Sequence, residues 1–556
     1  MKKVLSFIVA LVLALPTVFA VSCSARRNET ATPEGVVYRV LKDETMFSSA
    51  DRSSVAPSSA DATITLDGSV GSISDSGRGF GGSSVEIKKK GVYLVRGSSE
   101  NVRIVVDETE RSGATFLILD GVNMTSDRGS CISVKSADKL IIYAIGNNYL
   151  TVSGDLSASD PSLGDNNGAI CSKADLTING ESDSNIVITS SLKGIVAKDD
   201  LKFSGSHVIV NAESHGIDAN DSVRVCGGKQ EIGSRKKEGV YIKNSDGNSF
   251  FYMEDGIMEI VSALDGVSVK GAASKVAIAG GKLSVESGGG HSASKNPSLS
   301  AKGVKCDGNI MIGNAFVSAS SADDCLNAGI SVSLTDGTTR LFSSDDGVHA
   351  DNAVSVSGGQ VEIIRSFEGL EARVVSISGG TLSIISDDDG INASGEPSDG
   401  ADKTNRQSAD LFGKITISGG KVYVDSSADG LESKGPIRVT GGAIVVEAGK
   451  SAFNKGEGAV ASITGGTVLA IGSSLDTKNF DSGAQCSAFV ALSGEAGTTI
   501  AVNDGSGFSF ETTKNFDCLV YSSPFLKIGN SYRIGAGESF STVEFSNSYY
   551  YSDVVS

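Results

Sequence analysis

The sequence contains no Trp and only eight Pro. Without indole rings it lacks the broad aromatic platform that binds flat crystalline polysaccharides, which argues against that class of ligand. It is also poor in positive charge: the formal net charge is −18, and an acidic surface repels phosphate, so we expect no nucleic-acid partner. Gly, with 68 residues, is by contrast abundant. Together with many Ser, Asp and Val, this composition favours short strands joined by tight turns over a helical bundle.

Familiar catalytic motifs are missing as well. The sequence has no HExxH, Walker or nucleophile-elbow motif, and we assign no catalytic residue. "GRGFGG" (77–82) lacks the strand-and-helix context of a phosphate loop, so we interpret it as a turn. The cysteines after the N-terminal region match no zinc-site spacing, and we expect several to be buried core residues with no pairing assigned. They are Cys131, Cys171, Cys226, Cys306, Cys325, Cys486 and Cys518.

Residues 1–22 have the layout of an export signal peptide. A basic start is followed by the apolar stretch Val4–Leu15, which is too short to span a bilayer. "FAVSC" then places small residues before Cys23, as in a relaxed lipobox, although Ala20 stands where Leu is usual. We expect an exported protein that is lipid-anchored to the cell envelope or surface through Cys23. The alternative is ordinary signal cleavage after Ala20.

A short motif recurs about every 22 residues, as in "DDGVHA" and "FEGLEA". It consists of an acidic residue, Lys or His, then Gly, then an apolar residue. Each repeat also contains short, alternating, β-branched runs that predict three strands, which make one coil of a parallel β-helix. Cys325 and Ala452 take the glycine position in two repeats. The other repeats have Gly194, Gly216, Gly239, Gly266, Gly303, Gly347, Gly369, Gly390 and Gly430 there.

The columns of aligned residues support this prediction. The residue after the glycine position is always apolar, from Ile195 to Phe453, the next is mostly polar, and the third is mostly small. This alternation is that of a strand with one face in the core. "SGG" and "TGG" doublets, as at Gly379-Gly380, predict a second corner that needs positive φ and close packing between coils.

The chain outside the regular repeats suggests caps at both ends, because an end coil exposes core and unpaired backbone. Two insertions, 287–298 and 394–412, are candidate functional loops or merely tolerated surface insertions. After the signal peptide we predict a linker or tether (23–60), an N-terminal β cap of hairpin-like strands (61–128), the β-helix (129–472) and a small C-terminal antiparallel β unit (473–556).

Acidic residues accumulate just before the glycine position. In consecutive coils their carboxylates would lie about 4.8 Å apart, and each like-charged pair would cost roughly 1 kcal/mol in water and about 3.5 kcal/mol at an effective dielectric of 20. A hard divalent cation such as Ca²⁺ would neutralise such a column and could also link it to an acidic polymer. The alternative is that Asp-Gly is simply a favoured turn, which explains single acids better than doubled or tripled ones. The ladder comprises Asp323, Asp324, Asp345, Asp346, Glu368, Asp387, Asp388, Asp389 and Asp429.

The polar column beside this ladder is a candidate sugar-binding surface. Fixed amides and carboxylates on successive coils can hydrogen-bond successive hydroxyls of a glycan, although a plain solvated strand face would have the same pattern. The predicted ligand-binding residues are Asn327, His349, Glu371, Asn392 and Glu432.

"KGIVAKDDLKFSG", "DDGVHADNAVSVSGG", "SFEGLEARVVSISGG" and "DDDGINAS" carry a more specific signal. Over about residues 60–545 the chain resembles exported carbohydrate-binding β-helix proteins related to polysaccharide lyases. The resemblance implies an all-β, right-handed parallel β-helix that binds Ca²⁺ and a plant-type or acidic, pectin-like polysaccharide, without established cleavage. Its implied calcium ligands are among Asp345, Asp346, Glu368, Glu371, Asp387, Asp388 and Asp389.

The sequence departs from the family pattern at several positions. Phe367 stands where the family has Tyr, and Cys325 takes a Gly position. Lys193, His215 and Lys302 occupy the acidic position in earlier coils, so calcium is expected mainly in coils 323–392.

We therefore predict a monomeric surface protein that binds polysaccharide through calcium. One alternative is a calcium-dependent, pectate-type polysaccharide lyase, for which Arg365, Arg373 and Lys434 are the nearest basic candidates to abstract a proton. Another is a structural adhesin that keeps the coils and does not bind free sugar.

Overall fold

The computed structural model describes residues 40–75, 78–110, 112–154, 167–394, 413–473 and 476–551. Arg39–His349 and Ala350–Ser556 form two compact units, the first and the second unit. Strands dominate both, and the single helical element among the described residues is the 3-10 turn Glu44–Met46. No helix in these ranges has the length and hydropathy needed to cross a bilayer. The signal peptide, Cys23 and the insertion from 395 to 412 lie outside the described residues.

The first unit consists of coils whose strands stack in parallel on three faces. Face A is formed by β1 (Ala62–Gly68), β5 (Val92–Glu100), β7 (Ala114–Ser126), β9 (Lys139–Ile145), β12 (Asp175–Gly180), β15 (Asp200–Phe203), β18 (Ser222–Ser234), β20 (Phe250–Ser262), β22 (Lys275–Ile278), β25 (Asn309–Ile312) and β28 (Ser331–Leu334). Face B combines the second halves of β7, β18 and β20 with β10 (Asn147–Val152), β13 (Asn185–Ser190), β16 (His207–Ala212), β23 (Lys282–Ser287), β26 (Phe316–Ser321) and β29 (Thr338–Ser343). Face C is formed by β4 (Ser84–Ile87), β6 (Arg103–Asp107), β8 (Ile132–Ser136), β11 (Gly168–Ser172), β14 (Lys193–Ala197), β17 (Ile217–Ala219), β19 (Val240–Ile242), β21 (Val267–Val269), β24 (Val304–Cys306) and β27 (Leu326–Ala328).

The second unit has the same three kinds of stack and follows β30 (Val348–Val356). Its face A is formed by the second half of β32 (Leu370–Ile377) with β35 (Lys414–Ile417), β38 (Ile437–Val439) and β41 (Ala461–Ile463). Face B is formed by β31 (Gln360–Arg365), β33 (Thr381–Ser386), β36 (Lys421–Ser426), β39 (Ala443–Ala448) and β42 (Thr467–Gly472). Face C is formed by the first half of β32 with β34 (Ile391–Ala393), β37 (Leu431–Ser433) and β40 (Phe453–Lys455).

The predicted parallel β-helix is confirmed down to the register of its columns. In the first unit Ile195 pairs with Ile217, which pairs with Val240. In the second unit Leu370 aligns with Ile391, which aligns with Leu431. All these apolar side chains are buried, so the column after the glycine position forms an inward stack. The right-handedness of the helix stays a prediction.

Parallel stacking begins earlier in the chain than the predicted N-terminal cap allows. Among the described residues of 61–128, antiparallel pairing is confined to β1, β2 (Val70–Asp75) and β3 (Arg78–Gly82). From β4 onward the strands pair in parallel, β4 with β6 and β5 with β7. The difference arises because Asp67-Gly68 and Asp120-Gly121 lie within β1 and β7 and not directly before a face-C strand, so the marker does not keep the position by which the later repeats are recognised.

In the described part of residues 473–556 the strands pair mainly antiparallel, and β43 (Ser487–Val490) with β49 (Tyr549–Tyr551) is a parallel exception. β42 pairs antiparallel with β46 (Cys518–Ser522), and β46 pairs with β43, which is flanked by β49. A separate four-stranded sheet contains β44 (Thr499–Val502), β45 (Ser509–Glu511), β47 (Ser531–Ala536) and β48 (Ser539–Glu544). This part of the second unit has its own apolar core, which covers Leu469 and Ile471 of β42.

Residues 40–54 differ from the predicted linker, because they pack against face A of the first unit. Phe47 is 5% exposed and packs with Tyr252 and Ala277. Further along, Asn179 Nδ2 donates to the carbonyl oxygen of Asp51 at 3.0 Å. We call residues 40–54 the strap. Its Ser, Thr and Ala composition resembles a linker, but the polar groups that would be solvated in a linker are bonded to outward side chains of several coils.

Within the part of the chain that the structure describes, the cysteines form no disulfide. Six are buried and Cys226 is half-buried, which agrees with the expectation that they belong to the core.

The repeated glycines are explained by close packing. A Cβ on Gly266 would lie 2.1 Å from Val285 Cγ1 and 2.6 Å from the carbonyl oxygen of Gly303 in the next coil. The doublet corner also behaves as predicted: Gly380 has φ +78, and a Cβ on Gly379 would lie 2.4 Å from the Ser357 carbonyl oxygen. At Gly266 and Gly379 glycine therefore leaves the room that the neighbouring coil needs.

Replacing Gly266 with Ala is expected to destabilise the protein by about 3 kcal/mol, the upper part of the usual range for overpacking, because one of the blocking atoms is backbone. The matched control is Gly82→Ala, where the nearest atoms lie 3.9 Å from the added Cβ. Urea denaturation of both variants measures the effect. Equal midpoints for the two variants would contradict the packing explanation.

Candidate cation site and the acidic ladder

The acidic ladder lies in the turn between faces B and C, directly before each face-C strand. In the first unit this turn holds Asp323 and Asp324, which are 4% and 3% exposed. Lys302 Nζ, from the same turn of the neighbouring coil, lies 3.0 Å from Asp323 Oδ1 and 2.6 Å from Asp324 Oδ2. Burial raises the pKa of Asp323, but bonds from Lys302 outweigh it and lower that pKa. A lysine thus neutralises two acids for which we predicted a metal ion.

A second lysine reaches the same acids from the insertion 287–298. Lys295 Nζ lies 3.3 Å from Asp323 Oδ1 and also bonds the carboxylate of Asp345. Burial lowers the pKa of Lys295, but Asp345 and Asp323 outweigh it and raise that pKa. With two ammonium groups beside three carboxylates, this end of the ladder needs little further positive charge.

Two predicted sugar-binding residues of the first unit bond the ladder. Asn327 Nδ2 donates to Asp324 Oδ2 at 2.8 Å, and His349 Nδ1 lies 3.2 Å from Asp346 Oδ2. Ligand atoms of Asp324, Asp346 and His349 lie within 4.8 Å of one another. This group includes an imidazole nitrogen, which suits Ca²⁺ less well than an all-oxygen set.

The second unit brings together three acids, of which Glu432 is bonded by the exposed Lys434. Oxygens of Asp389, Asp429 and Glu432 lie within 4.8 Å of one another. Backbone and amide donors orient the group: Asp429 N donates to Asp389 Oδ1, and Asn454 Nδ2 donates to Asp429 Oδ2. We call these three residues the carboxylate cluster. Asp429 is absent from the predicted ligand sets, although it occupies the same position of the repeat as Asp389.

The pKa is raised for Asp389 of the carboxylate cluster and for its neighbour Glu368. Burial and a hydrogen bond with Glu432 raise the pKa of Asp389 to about 8. The pKa of Glu432 is lowered, because bonds from Asp389 and Lys434 outweigh its burial. Asp389 therefore keeps its proton at neutral pH and donates a hydrogen bond to the carboxylate of Glu432. Burial also raises the pKa of Glu368 to about 7, with a further contribution from nearby acids.

Two buried oxygen atoms at this place have no donor among the described residues. Asn392, which is 7% exposed, donates through Nδ2 to Glu368 Oε1 at 3.0 Å, while its Oδ1 has no partner. Glu368 Oε2 is likewise buried without a partner. Asn392 aligns with Glu432 in the next coil, so an acceptor without a donor adjoins the carboxylate cluster. Buried acceptors are almost always satisfied, by a protein donor, an ordered water or an ion.

The remaining predicted ligands stand apart from this cluster. Asp387 is exposed and lies 3.2 Å from Arg365 NH2, and Asp388 is half-buried. Glu371 aligns with Asn392 in the neighbouring coil. The three acids of "DDD" thus enter different surroundings, because successive residues of a turn point in different directions.

The three basic lyase candidates are each bonded to an acceptor. Arg365 pairs with Asp387, and Lys434 Nζ lies 2.7 Å from Glu432 Oε1. Arg373 Nε donates to Asn352 Oδ1 at 3.1 Å. A base for lyase chemistry would have to be released from these partners.

Comparison with known proteins gives consistent descriptions. A family model described as carbohydrate-binding domain-containing protein matches residues 81–347 and 343–506. A carbohydrate-binding domain-containing protein of Acetivibrio thermocellus is 35% identical over 131 residues, which are 23% of this chain and 45% of that protein, so the chain spans less than half of that relative's length. A solved structure of the polysaccharide lyase-like protein from C. thermocellum, a gadolinium derivative, is 22% identical with a TM-score of 0.36 and covers 54% of this chain and 99% of its own.

Proposed function

The chain belongs to the family of carbohydrate-binding domain-containing proteins, and from this premise we propose that it binds an acidic, pectin-like polysaccharide through Ca²⁺ held at the carboxylate cluster. The observation that carries the proposal is the pair of donorless oxygens, Asn392 Oδ1 and Glu368 Oε2, beside Asp389, Asp429 and Glu432. Together they form an all-oxygen set, which is what Ca²⁺ prefers.

The residues of this site have different roles in the proposed binding of the cation. Asp389 and Glu432 are held together by one proton, and its loss frees both carboxylates for a cation. Asn454 and the backbone of Ser451 fix the carboxylate of Asp429. A bound Ca²⁺ would offer its remaining coordination positions to the carboxylates of a uronate chain. Without the cation, the acidic surface would repel such a chain.

Export and lipid anchoring through Cys23 are part of the proposal and are supported by the basic start, the apolar stretch and the relaxed lipobox of residues 1–23. They would place the polysaccharide-binding coils outside the cell, where such polymers are met. Mass spectrometry of the mature N-terminus checks this: diacylglycerol on Cys23 is expected, and a chain that begins at Val21 would indicate ordinary cleavage.

Affinity electrophoresis in gels that contain polygalacturonate tests the function. Migration of the mature chain is expected to be retarded with CaCl₂ and restored with EGTA, and gels with fully methyl-esterified pectin serve as the matched control because the uronate charge is lost. Retardation that persists in EGTA would contradict the calcium bridge. An absence of retardation in every acidic polysaccharide would contradict the proposed ligand. Ultraviolet absorbance of an unsaturated product, measured in parallel, would reveal a lyase.

A further inference from the structure

A groove on face B of the first unit is separate from the acidic ladder. It lies over β20, β23, β26 and β29 and is walled on one side by the insertion 287–298. Its volume is about 400 Å³, within the range of about 300–1,000 Å³ that is usual for ligand sites.

The floor of the groove is an outward column of four coils in register. Val261 pairs with Glu286, Glu286 with Ser320, and Ser320 with Phe342. The column therefore changes from an aliphatic side chain through a carboxylate and a hydroxyl to a ring over four neighbouring coils. Val261 is 59% exposed, so its apolar surface is available to a ligand.

The wall of the groove is held in place by bonds to the coils. His291 N donates to Ser320 Oγ at 3.1 Å, and the His291 ring lies 5.5 Å from that of Phe342, centroid to centroid. Ser344 Oγ donates to the carbonyl oxygen of His291 at 2.7 Å. Lys295, a few residues further along the insertion, is bonded to Asp345. A wall fixed in this way loses little conformational freedom when a ligand binds.

The chemistry of the groove suits a neutral sugar better than an acidic one. The described residues that line the groove include no Lys or Arg, but they include two acids, Glu259 and Glu286. Glu259 is paired with Lys229 and Lys282, at 3.1 and 3.3 Å, and Glu286 is exposed. Carboxylate and serine oxygens accept hydrogen bonds from sugar hydroxyls, whereas the two carboxylates repel the negative charge of a uronate.

We infer that this groove binds a neutral pyranose chain that runs along the column, with the C–H face of one sugar against Phe342 and that of another against Val261, and with hydroxyls of the sugars between them bonded to Glu286 and Ser320. The inference rests on the proposed carbohydrate-binding function and adds a second site that needs no calcium. The protein would then hold a polymer with both acidic and neutral regions at two places, one in each unit.

Titration calorimetry of the mature chain with cellohexaose, xylohexaose and mannohexaose in EGTA tests the inference. At least one of these sugars is expected to bind, and Phe342→Ala is expected to weaken its binding about tenfold, as the loss of a ring contact does. Phe316→Ala is the matched control, because Phe316 is a half-buried face-B residue of the adjacent coil that does not line the groove. It should leave the affinity unchanged.

Binding of none of the three sugars, or equal binding by both variants, would overturn the groove as a neutral-sugar site. Glu286→Gln gives a second test, because it removes the repelling charge while it keeps an acceptor oxygen. Its affinity for the neutral hexasaccharide should remain within a few-fold of the wild type.

Calcium-dependent retention by polygalacturonate should persist in Phe342→Ala, because the carboxylate cluster is in the second unit. If retention persists while no neutral sugar binds, the groove inference fails alone. If neither type of glycan is bound, the proposed function fails with it. Thermal melting of each variant checks that the fold is intact.

Discussion

Asp389→Asn is expected to weaken the proposed calcium binding by at least about 100-fold, because losing only a group that hydrogen-bonds and orients a metal ligand already costs about 10- to 100-fold. The substitution keeps the shape of the side chain and leaves a neutral amide that cannot lose a proton to become the third carboxylate of the cluster of Asp389, Asp429 and Glu432. Calorimetric titration with CaCl₂ measures the effect. The variant should also migrate freely through polygalacturonate gels that contain calcium.

Asp324→Asn is the matched control for this experiment. Asp324 occupies the same position of its coil and is equally buried, but Lys302 already neutralises it. Its replacement should leave calcium affinity unchanged and lower the melting temperature, because the lysine loses an acceptor. If the two variants lose calcium equally, the ladder acts as one extended site. If only Asp324→Asn loses it, the cation site lies in the first unit.

The stack of coils could be predicted from sequence because each column obeys a local rule. Inward positions such as Ile217 and Val240 must be apolar in every coil, and the pairing of strands aligns them. The position of the glycine in each repeat could be predicted equally well, but the physical reason for a glycine at that position could not. Asp-Gly reads as a turn, whereas the structure shows that Gly266 leaves space for Val285 and for the next coil.

The candidate site was predictable only in outline. A column of acids is visible in the sequence, but whether it is neutralised depends on where the fold places basic side chains that are distant along the chain. Lys295 belongs to an irregular insertion, and nothing in its neighbourhood along the chain indicates that it reaches Asp323 and Asp345. In the carboxylate cluster the bonded lysine, Lys434, is exposed and reaches Glu432, whereas Lys302 is partly buried and bonds both Asp323 and Asp324, and that difference appears only in three dimensions.

The strap was not foreseen for a related physical reason. Its one buried apolar residue among those described is Phe47, with Val40 and Met46 partly buried beside it, and its polar contacts are hydrogen bonds and an ion pair to residues far along the chain. A short polar segment of this kind has no periodicity, so composition alone suggests a tether. On the coils, Thr177 and Asn179 point outward from β12 and are nonetheless buried, because the strap covers them.

Asp51→Ala is expected to destabilise the first unit by about 3–5 kcal/mol, the usual result of removing one partner from a buried ion pair. Asp51 is fully buried and accepts from Thr177 Oγ1 at 2.6 Å, Ser48 N at 2.8 Å and Lys139 Nζ at 3.1 Å. Without it the ammonium of Lys139 faces a space with no counter-charge, and the strap loses its polar anchor. Urea denaturation measures the loss of stability, and proteolysis within residues 40–54 reports release of the strap. Asp67→Ala, at an exposed position, is the control.

The pH dependence of stability gives an independent measure of the same anchor. Burial raises the pKa of Asp51, but bonds from Thr177, Ser48 and Lys139 outweigh it and lower the pKa from 3.8 to about 2. Because the folded pKa lies below the unfolded one, the stabilisation is complete above about pH 4 and is lost as the pH falls towards 2, an effect of about 2–3 kcal/mol. The difference in unfolding free energy between wild type and Asp51→Ala should therefore shrink over this range. A difference that stays constant down to pH 2 would mean that Asp51 anchors the strap through its shape and not its charge.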